Sequence, residues 1–354
     1  METRKIQKVG TSTLTLSLPR EWLERCGLRK GDPVLLVEDG ERLHLSPAGR
    51  GDPGSRRGDH RIVDADRCPA PGMLERVLVG HYVLGRRRVT VRSAGPLPPA
   101  HREAIYRTVR RLIAFGIVEE GPSLVVLQCS LDPANFPLSR LLRRLHGLVA
   151  GMAADAVEAL LRADRGRAEE VLRREEDADT TYWLILRLAL SALLDETLLA
   201  PLGLRSRLEI SGYRVAARDL ESAGDSAEDA ARAALLLLDR GTRLREGLGS
   251  DFSALASAAA EALSLSVEGL LGGDLLVAEG ALRLRDEVRE RAGMLVRSLH
   301  RDHGSPAEIG PLTSFVESLQ EIAVRAGSMA VVAFNRHLEG PSPWSGTEPD
   351  ASPS

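Results

Sequence analysis

The feature that most constrains this chain is a helical pattern over residues 134–338 that runs through the same three parts twice. The first half reads as helices over about 138–163, 167–199 and 206–240, the second over about 249–271, 274–302 and 306–338. Breaks fall at Asp164-Arg165-Gly166, Pro201-Leu202-Gly203, Gly241, Gly272-Gly273 and Gly304-Ser305-Pro306, where turn-forming residues interrupt the apolar periodicity. A three-helix unit repeated within one chain predicts an antiparallel bundle built twice, over 134–243 and 244–338. Aromatic residues make up 3% of the chain while Leu, Ala and Val abound, which favours helix-on-helix packing over a β-sandwich. The most apolar run, 182–200, contains Arg187, Asp195 and Glu196, so it reads as a bundle helix and not a membrane span.

The rest of the chain divides around this block. Residues 1–47 read as short strands around one short helix, and 48–60 (AGRGDPGSRRGDH) as a flexible linker. Residues 61–133 mix helix and strand patterns. Helices are expected over 72–84 and 98–115, and strands in RRVTVRS, IVEEG and SLVVLQCSLD, which together make a small α/β unit. In it His81, His101 and Cys129 are isolated and read as structural or surface residues. Residues 339–354 lack a core-forming pattern and read as a disordered tail. Three dispersed cysteines, Cys26, Cys68 and Cys129, form no CxxC pair and suit a reducing compartment. The N-terminus carries no apolar signal core, so a cytoplasmic location is expected.

A net charge of −3 excludes a generally polycationic nucleic-acid binder, so any DNA function needs locally concentrated bases. The stretch TRKIQKVGTSTLTLSLPR supplies them. No acid lies between Glu2 and Glu21, while Arg4, Lys5, Lys8 and Arg20 give a local charge of +4. Gly10-Thr11-Ser12 makes a turn, and Leu14, Leu16 and Leu18 alternate with Thr13, Thr15 and Ser17 as in a half-buried strand. Pro19 suits the start of a short helix, REWLERCGL, closed by Gly27. Asp39-Gly40 then turns PVLLVE back into ERLHLSP. A plainer reading makes the basic residues a charged strand edge that resists aggregation.

RKIQKVGTSTLTLSLPREW, GLRKGDPV and DGERLHLSP together resemble the AbrB/SpoVT family of swapped-hairpin DNA-binding domains. The resemblance implies that two chains interlace their hairpins into one β-barrel. Fewer than 50 residues bury too little surface to be stable alone, so a homodimer is physically sensible. It also implies double-stranded DNA as a partner, met by Arg4, Lys5, Lys8, Thr11, Ser12 and Arg20 across a two-fold axis.

Two bundle helices carry acids four residues apart. Glu175 and Asp179 lie beside the apolar stripe of Ala178, Tyr182, Ile185 and Ala189, and Glu221 and Asp225 lie in a helix whose inner face is mostly alanine. Such pairs on facing helices suit a hard or borderline cation, although a solvated acidic face is the common meaning of a charge run. REEDADTTYWL and ARDLESAGDSAEDAA resemble the two signatures of the PhoU family of phosphate-uptake regulators. That resemblance implies a metal centre of iron or zinc, often multinuclear, at Glu175, Asp179, Glu221 and Asp225. The second half departs from the pattern. Gln320 and Val324 stand where acids are expected. Asp286 and Glu290 are four apart, but one alignment puts Arg289 at the expected acid, so a weak or absent second site is expected.

With the middle segment, which resembles the connecting region of archaeal-type proteins carrying both flanking domains, the expected fold is multidomain. It comprises an AbrB-like swapped-hairpin barrel, a small α/β unit and an all-α PhoU-like duplicated bundle. Three functional classes follow. The first is a DNA-binding transcriptional regulator of phosphate homeostasis, with the bundle as sensor or interaction domain. The second is an adaptor that restrains a phosphate transporter or sensor kinase without binding DNA. The third is a carboxylate-bridged metalloenzyme. Such enzymes use Glu-x-x-His pairs, which the bundle helices lack, and no P-loop, dinucleotide fingerprint or nucleophile–base set is present, so a non-enzyme is expected.

Overall fold

The computed structural model describes residues 3–10, 13–39, 42–47, 60–242, 244–245, 247–302 and 306–339. The chain forms two compact units, Met1–Asp59 and His60–Ser354.

In the first unit β1 (Gln7–Val9) pairs antiparallel with β2 (Thr13–Thr15), and β3 (Val34–Asp39) with β4 (Arg42–Pro47). Between the hairpins lies α1 (Arg20–Cys26). It follows Pro19 and ends on Gly27, whose left-handed φ of 63° lets its N–H and that of Leu28 return to Glu24 and Leu23. Thr11, Ser12 and Gly40 of the expected turns lie outside the described residues, as do 48–59 of the linker and 340–354 of the tail. The half-buried strand expected from Leu14, Leu16 and Leu18 is not half-buried within one chain, and its regular part stops at Thr15. Leu14 is 68% exposed and Ile6 69%, and Leu28 is the only buried residue among those of this unit whose side chains are described. The alternation is there, but a single chain supplies no surface for it to cover.

The second unit opens with β5 (His60–Asp64), a strand that the sequence reading had divided between linker and α/β unit. After it come α2 (Met73–Val83), β6 (Arg88–Arg92), α3 (Pro99–Arg111), β7 (Phe115–Glu120) and β8 (Leu124–Cys129). The sheet order is β5-β6-β8-β7, with β5 parallel to β6 and the other pairs antiparallel. Helix α3 ends at Arg111, earlier than expected, because Phe115 belongs to the strand and Ala114 has a positive φ of 59°. Val63, Leu74, Leu78, Tyr82, Val89, Val91, Ile105 and Leu127 form this region's core.

Six helices follow: α4 (Leu138–Arg162), α5 (Arg165–Leu194), α6 (Arg207–Asp239), α7 (Leu248–Gly272), α8 (Leu275–Asp302) and α9 (Pro306–His337). Asp164 caps α5 by accepting from Arg167 N at 3.0 Å, and Asp274 plays the same part at α8, accepting from Leu276 N at 2.9 Å. The duplication shows in burial. Buried positions 168, 171, 178, 182, 185 and 189 of α5 recur in α8 at 278, 281, 288, 292, 295 and 299, and those of α6 at 213, 216, 220, 223, 227 and 231 recur in α9 at 312, 315, 319, 322, 326 and 330. The link between α5 and α6 is longer than its counterpart between α8 and α9. It includes a 3-10 turn, Glu196–Leu198, and folds back so that fully buried Leu202 accepts at its carbonyl from Leu138 N, the first residue of α4. Helix α7 is long and apolar enough to cross a membrane by composition, yet Phe252, Leu255, Leu263 and Val267 are buried in the bundle core.

Candidate functional site

Small residues bring α5 and α6 close. A methyl on Gly224 would lie 3.4 Å from Val149 Cγ2 and 3.9 Å from Ala178 Cβ, so Gly224 faces Ala178 across the contact. Glu175 and Asp179 flank Ala178 along α5, and Glu221 and Asp225 flank Gly224 along α6. Close packing of the small residues therefore gathers the four predicted acids on one edge of the helix pair. Glu228, one turn beyond Asp225, joins them, and its field acts on Glu175, Asp179 and Asp225. The sequence reading missed Glu228, although its i+3 spacing from Asp225 marks it.

Partial burial and mutual repulsion hold these carboxyls above their ordinary range. Burial first, and then the charge of Asp179, pushes Glu175 up to about 7. Burial is also the leading cause for Asp179, Glu221 and Asp225, all raised; Asp225 adds to the rise of Glu221. At Asp179 a cation pulls the other way. Arg111, at the end of α3, donates from Nη2 to Asp179 Oδ2 at 2.7 Å and from Nη1 to Glu75 Oε1 at 3.3 Å, and its guanidinium lies 4.8 Å from the centre of the Trp183 ring. Sequence reasoning had no signal for Arg111, which stands 68 residues from its partner.

Half-buried carboxylates on two packed helices are the donor type that an oxygen-preferring cation takes, but arginines already meet two of the four: Arg111 at Asp179, and Arg218, 3.4 Å from Glu221. Among the described residues, however, no three of His, Cys, Asp and Glu are placed so that they could hold a metal ion, and Arg111 is the cation that Asp179 meets.

The raised carboxyls predict a pH dependence. A carboxyl whose pKa is higher in the folded chain stabilises the fold below its unfolded value and loses that contribution as pH rises through the folded value, here from about 4.5 to about 7 for Glu175. The metal-free chain should therefore melt at a lower temperature at pH 8 than at pH 5. Glu175→Gln should flatten that trend by on the order of 1 kcal/mol, allowing for solvent screening at a half-exposed site. Thermal melts of both proteins across this range would show it; parallel curves would assign Glu175 an ordinary carboxyl.

The burial pattern also sets the register of the second repeat. In register, Glu175 and Asp179 correspond to Arg285 and Arg289, and Glu221 and Asp225 to Gln320 and Val324. Asp286 and Glu290 correspond instead to Glu176 and Thr180 and are exposed. Glu228 corresponds to Gly327, where a Cβ would stand 2.5 Å from Arg285 Cδ, so the arginine stem lies in the room the glycine leaves. Arg285 then pairs through Nε and Nη2 with the two oxygens of Asp286, at 2.9 and 3.0 Å. Arginines thus stand at two of the four positions that carry carboxylates in the first half, and Gln320 and Val324 at the other two.

In the first unit Arg4, Lys5 and Lys8 are exposed, before and within β1, where Lys8 sits opposite Leu14. Arg20 is apart from them on α1 and pairs with Glu24 at 2.9 Å. Thr11 and Ser12, the other two expected DNA contacts, are outside the described residues.

Residues 142–234 match the family described as PhoU domain, and residues 7–52 match the family described as antidote-toxin recognition MazE, bacterial antitoxin. No curated protein matches the chain. Among solved structures, PhoU from Pseudomonas aeruginosa superposes with a TM-score of 0.50 at 20% identity, covering 58% of this chain and 96% of that one. The phosphate transport system regulatory protein PhoU from Streptococcus pneumoniae gives 0.47 at 18% identity, covering 55% and 91%. The chain thus joins a MazE/AbrB-like domain at its N-terminus to a helical bundle that contains a PhoU domain.

Proposed function

We propose that this chain is a non-catalytic, DNA-binding transcriptional regulator tied to phosphate uptake, acting as a cytoplasmic homodimer with the PhoU domain as its sensing or interaction part. The observation that carries the reading is the joining, in one chain, of a MazE/AbrB-like module with an acid-free basic stretch to a PhoU domain. Genome-wide footprinting of the native protein, with and without phosphate limitation, tests it. Footprints that change with phosphate supply are expected; none in either condition would leave the transporter or kinase adaptor.

Dimerisation through residues 1–47 is supported by the exposed Ile6, Val9, Leu14, Leu35 and Leu36, which together are more apolar surface than a stable module of this size leaves in water. Light scattering at low micromolar concentration should return a dimer or a multiple of it. A monodisperse monomer with a folded N-terminal module would overturn this part.

The acidic edge of α5 and α6 is proposed to hold iron or zinc through Glu175, Asp179, Glu221 and Asp225, with the second repeat metal-free. A bound cation would offset the mutual repulsion that, with burial, raises these carboxyls.

A further inference from the structure

We propose that β5 is an interface between two copies of this chain: their free β5 edges pair antiparallel about Ile62 and join two four-stranded sheets into one. The inference rests on the homodimer just proposed through residues 1–47 and adds to it a contact in the second unit.

The two edges of the sheet are unlike. β7 carries a bulge between Ile117 and Glu119 and ends in Glu119-Glu120, two devices by which an exposed edge avoids unwanted pairing. β5 has neither. It keeps register with β6 from His60 to Asp64 without a break, contains no proline, and among the described residues nothing pairs with its outer side. Its central residue, Ile62, is 57% exposed. Such an edge offers its backbone N–H and C=O groups to another strand.

The sequence HRIVD suits a second copy of itself, and a two-fold contact must be self-complementary. Antiparallel pairing centred on Ile62 sets Ile62 against Ile62 and His60 against Asp64 at both ends, all on one face of the sheet. That face is the one away from α2, because the intervening Val63 is buried with Leu74 and Leu78. On the α2 side Arg61 meets Val63, so no like charges oppose each other. His60 Nε2 is 2.8 Å from Thr90 Oγ1, which leaves Nδ1 for the carboxylate. Asp64 accepts from Asp66 N through Oδ1 at 3.2 Å and has Arg67 Nε 3.6 Å from Oδ2. A carboxylate offers about four acceptor sites, so Asp64 can take one bond more.

A five-residue strand pair buries far less surface than a free-standing dimer needs. The chain itself supplies the rest. Residues 48–59 separate β5 from the module at 1–47 and span at most about 40 Å. In a dimer of that module both β5 strands are therefore tethered. Their effective concentration is on the order of millimolar, at which even a contact of about millimolar affinity is half formed.

The test uses the full-length chain with Cys26→Ser, the other two cysteines being buried. Opposed residues of an antiparallel pair have Cα atoms about 4.5–5.5 Å apart, within disulfide reach. Val118, 55% exposed on β7, provides a control thiol of matching exposure. Under mild oxidation Ile62→Cys should cross-link two chains about ten-fold faster than Val118→Cys, or more, because only the β5 edges meet in register. Adding His60→Asp sets like charges opposite each other at both ends and should slow the Ile62→Cys cross-link about five-fold. Light scattering of the same chain reports the dimer. Equal rates from the two cysteines in a chain that scatters as a dimer would overturn the edge pairing and leave dimerisation through 1–47 standing. A monomeric chain would overturn both. A cross-link that His60→Asp leaves unchanged would overturn pairing in this register.

Discussion

Replacing Arg4, Lys5 and Lys8 together with glutamine should flatten the salt dependence of DNA binding more than any other change of three side chains. Each phosphate contact contributes roughly 0.9 to the slope of log affinity against log salt, so three contacts should remove about 2.7 and, if both protomers engage, about 5.4. At low salt the loss of affinity should reach several orders of magnitude, and it should be similar on unrelated sequences, because such contacts position the duplex and do not read it. Arg4 and Lys5 precede β1 and Lys8 lies in it; all three are exposed, and β1 pairs with β2 through the backbone, so the substitutions leave that pairing in place. Circular dichroism should confirm folding alongside the titrations. An unchanged slope would reduce the basic stretch to a guarded strand edge. Arg20 is left out because Glu24 already holds it.

The second large effect is on stability. Arg187 is 5% exposed in α5, and its guanidinium donates to the carbonyl oxygens of Tyr82, Gly85 and Arg86 while lying 4.8 Å over the Tyr82 ring. Tyr82 lies in the last turn of α2, which ends at Val83, and Gly85 and Arg86 follow just beyond it, so the cation also meets the negative end of the helix dipole. Arg187→Met would fill much of the space but take the guanidinium from the half-buried Gly85 and Arg86 carbonyls, while Tyr82 O keeps the Gly85 N–H, at roughly 1–3 kcal/mol for each group left unsatisfied. A total cost of about 3 kcal/mol or more is expected, read as a fall in the urea midpoint, with Arg187→Lys recovering part of it. Because the contact joins the α/β region to the bundle, the unit His60–Ser354 should also unfold in two steps in the variant where it unfolds in one in the parent. A midpoint within experimental error of the parent's would mean that water replaces the guanidinium at these carbonyls.

How much of this could be read from the sequence depended on how local the determining contact was. The bundle was legible because its breaks are caused by neighbours in the chain: Asp164 caps the helix that starts beside it, and Gly273 takes the positive φ that ends α7. The closeness of the two acids within each pair was legible for the same reason, since i and i+4 side chains must meet. Strand β5 was not. Its five residues, HRIVD, border the Gly- and Pro-rich stretch, and what makes them a strand is parallel pairing with Arg88–Arg92 across the whole of α2. The leucines of the first unit were legible as an alternation but not in their burial, which one chain cannot supply. Arg187 was visible only as a charge inside an apolar run, a sign against a membrane span that gave no hint of the carbonyls it serves. Arg111 and Glu75 come from outside the bundle altogether. The choice between Arg289 and Glu290 in the second repeat waited on burial, because two helical alignments of that segment look alike until the inner face is known.

The back-folded link between α5 and α6 also sets an order in time. The sheet can complete its last pairing once residue 129 is available, and α4 can coil as soon as residue 162 follows. Yet the first backbone N–H of α4 finds its carbonyl only at Leu202, and the end of α2 finds its guanidinium only at Arg187. On a growing chain, therefore, the α/β region exists for a stretch of synthesis as an unfastened piece, its junction to the bundle open to water and to chaperones. It is stitched down by a segment made some 60 residues after α4 begins, so a ribosome halted before residue 187 should release a sheet that is formed but not yet anchored.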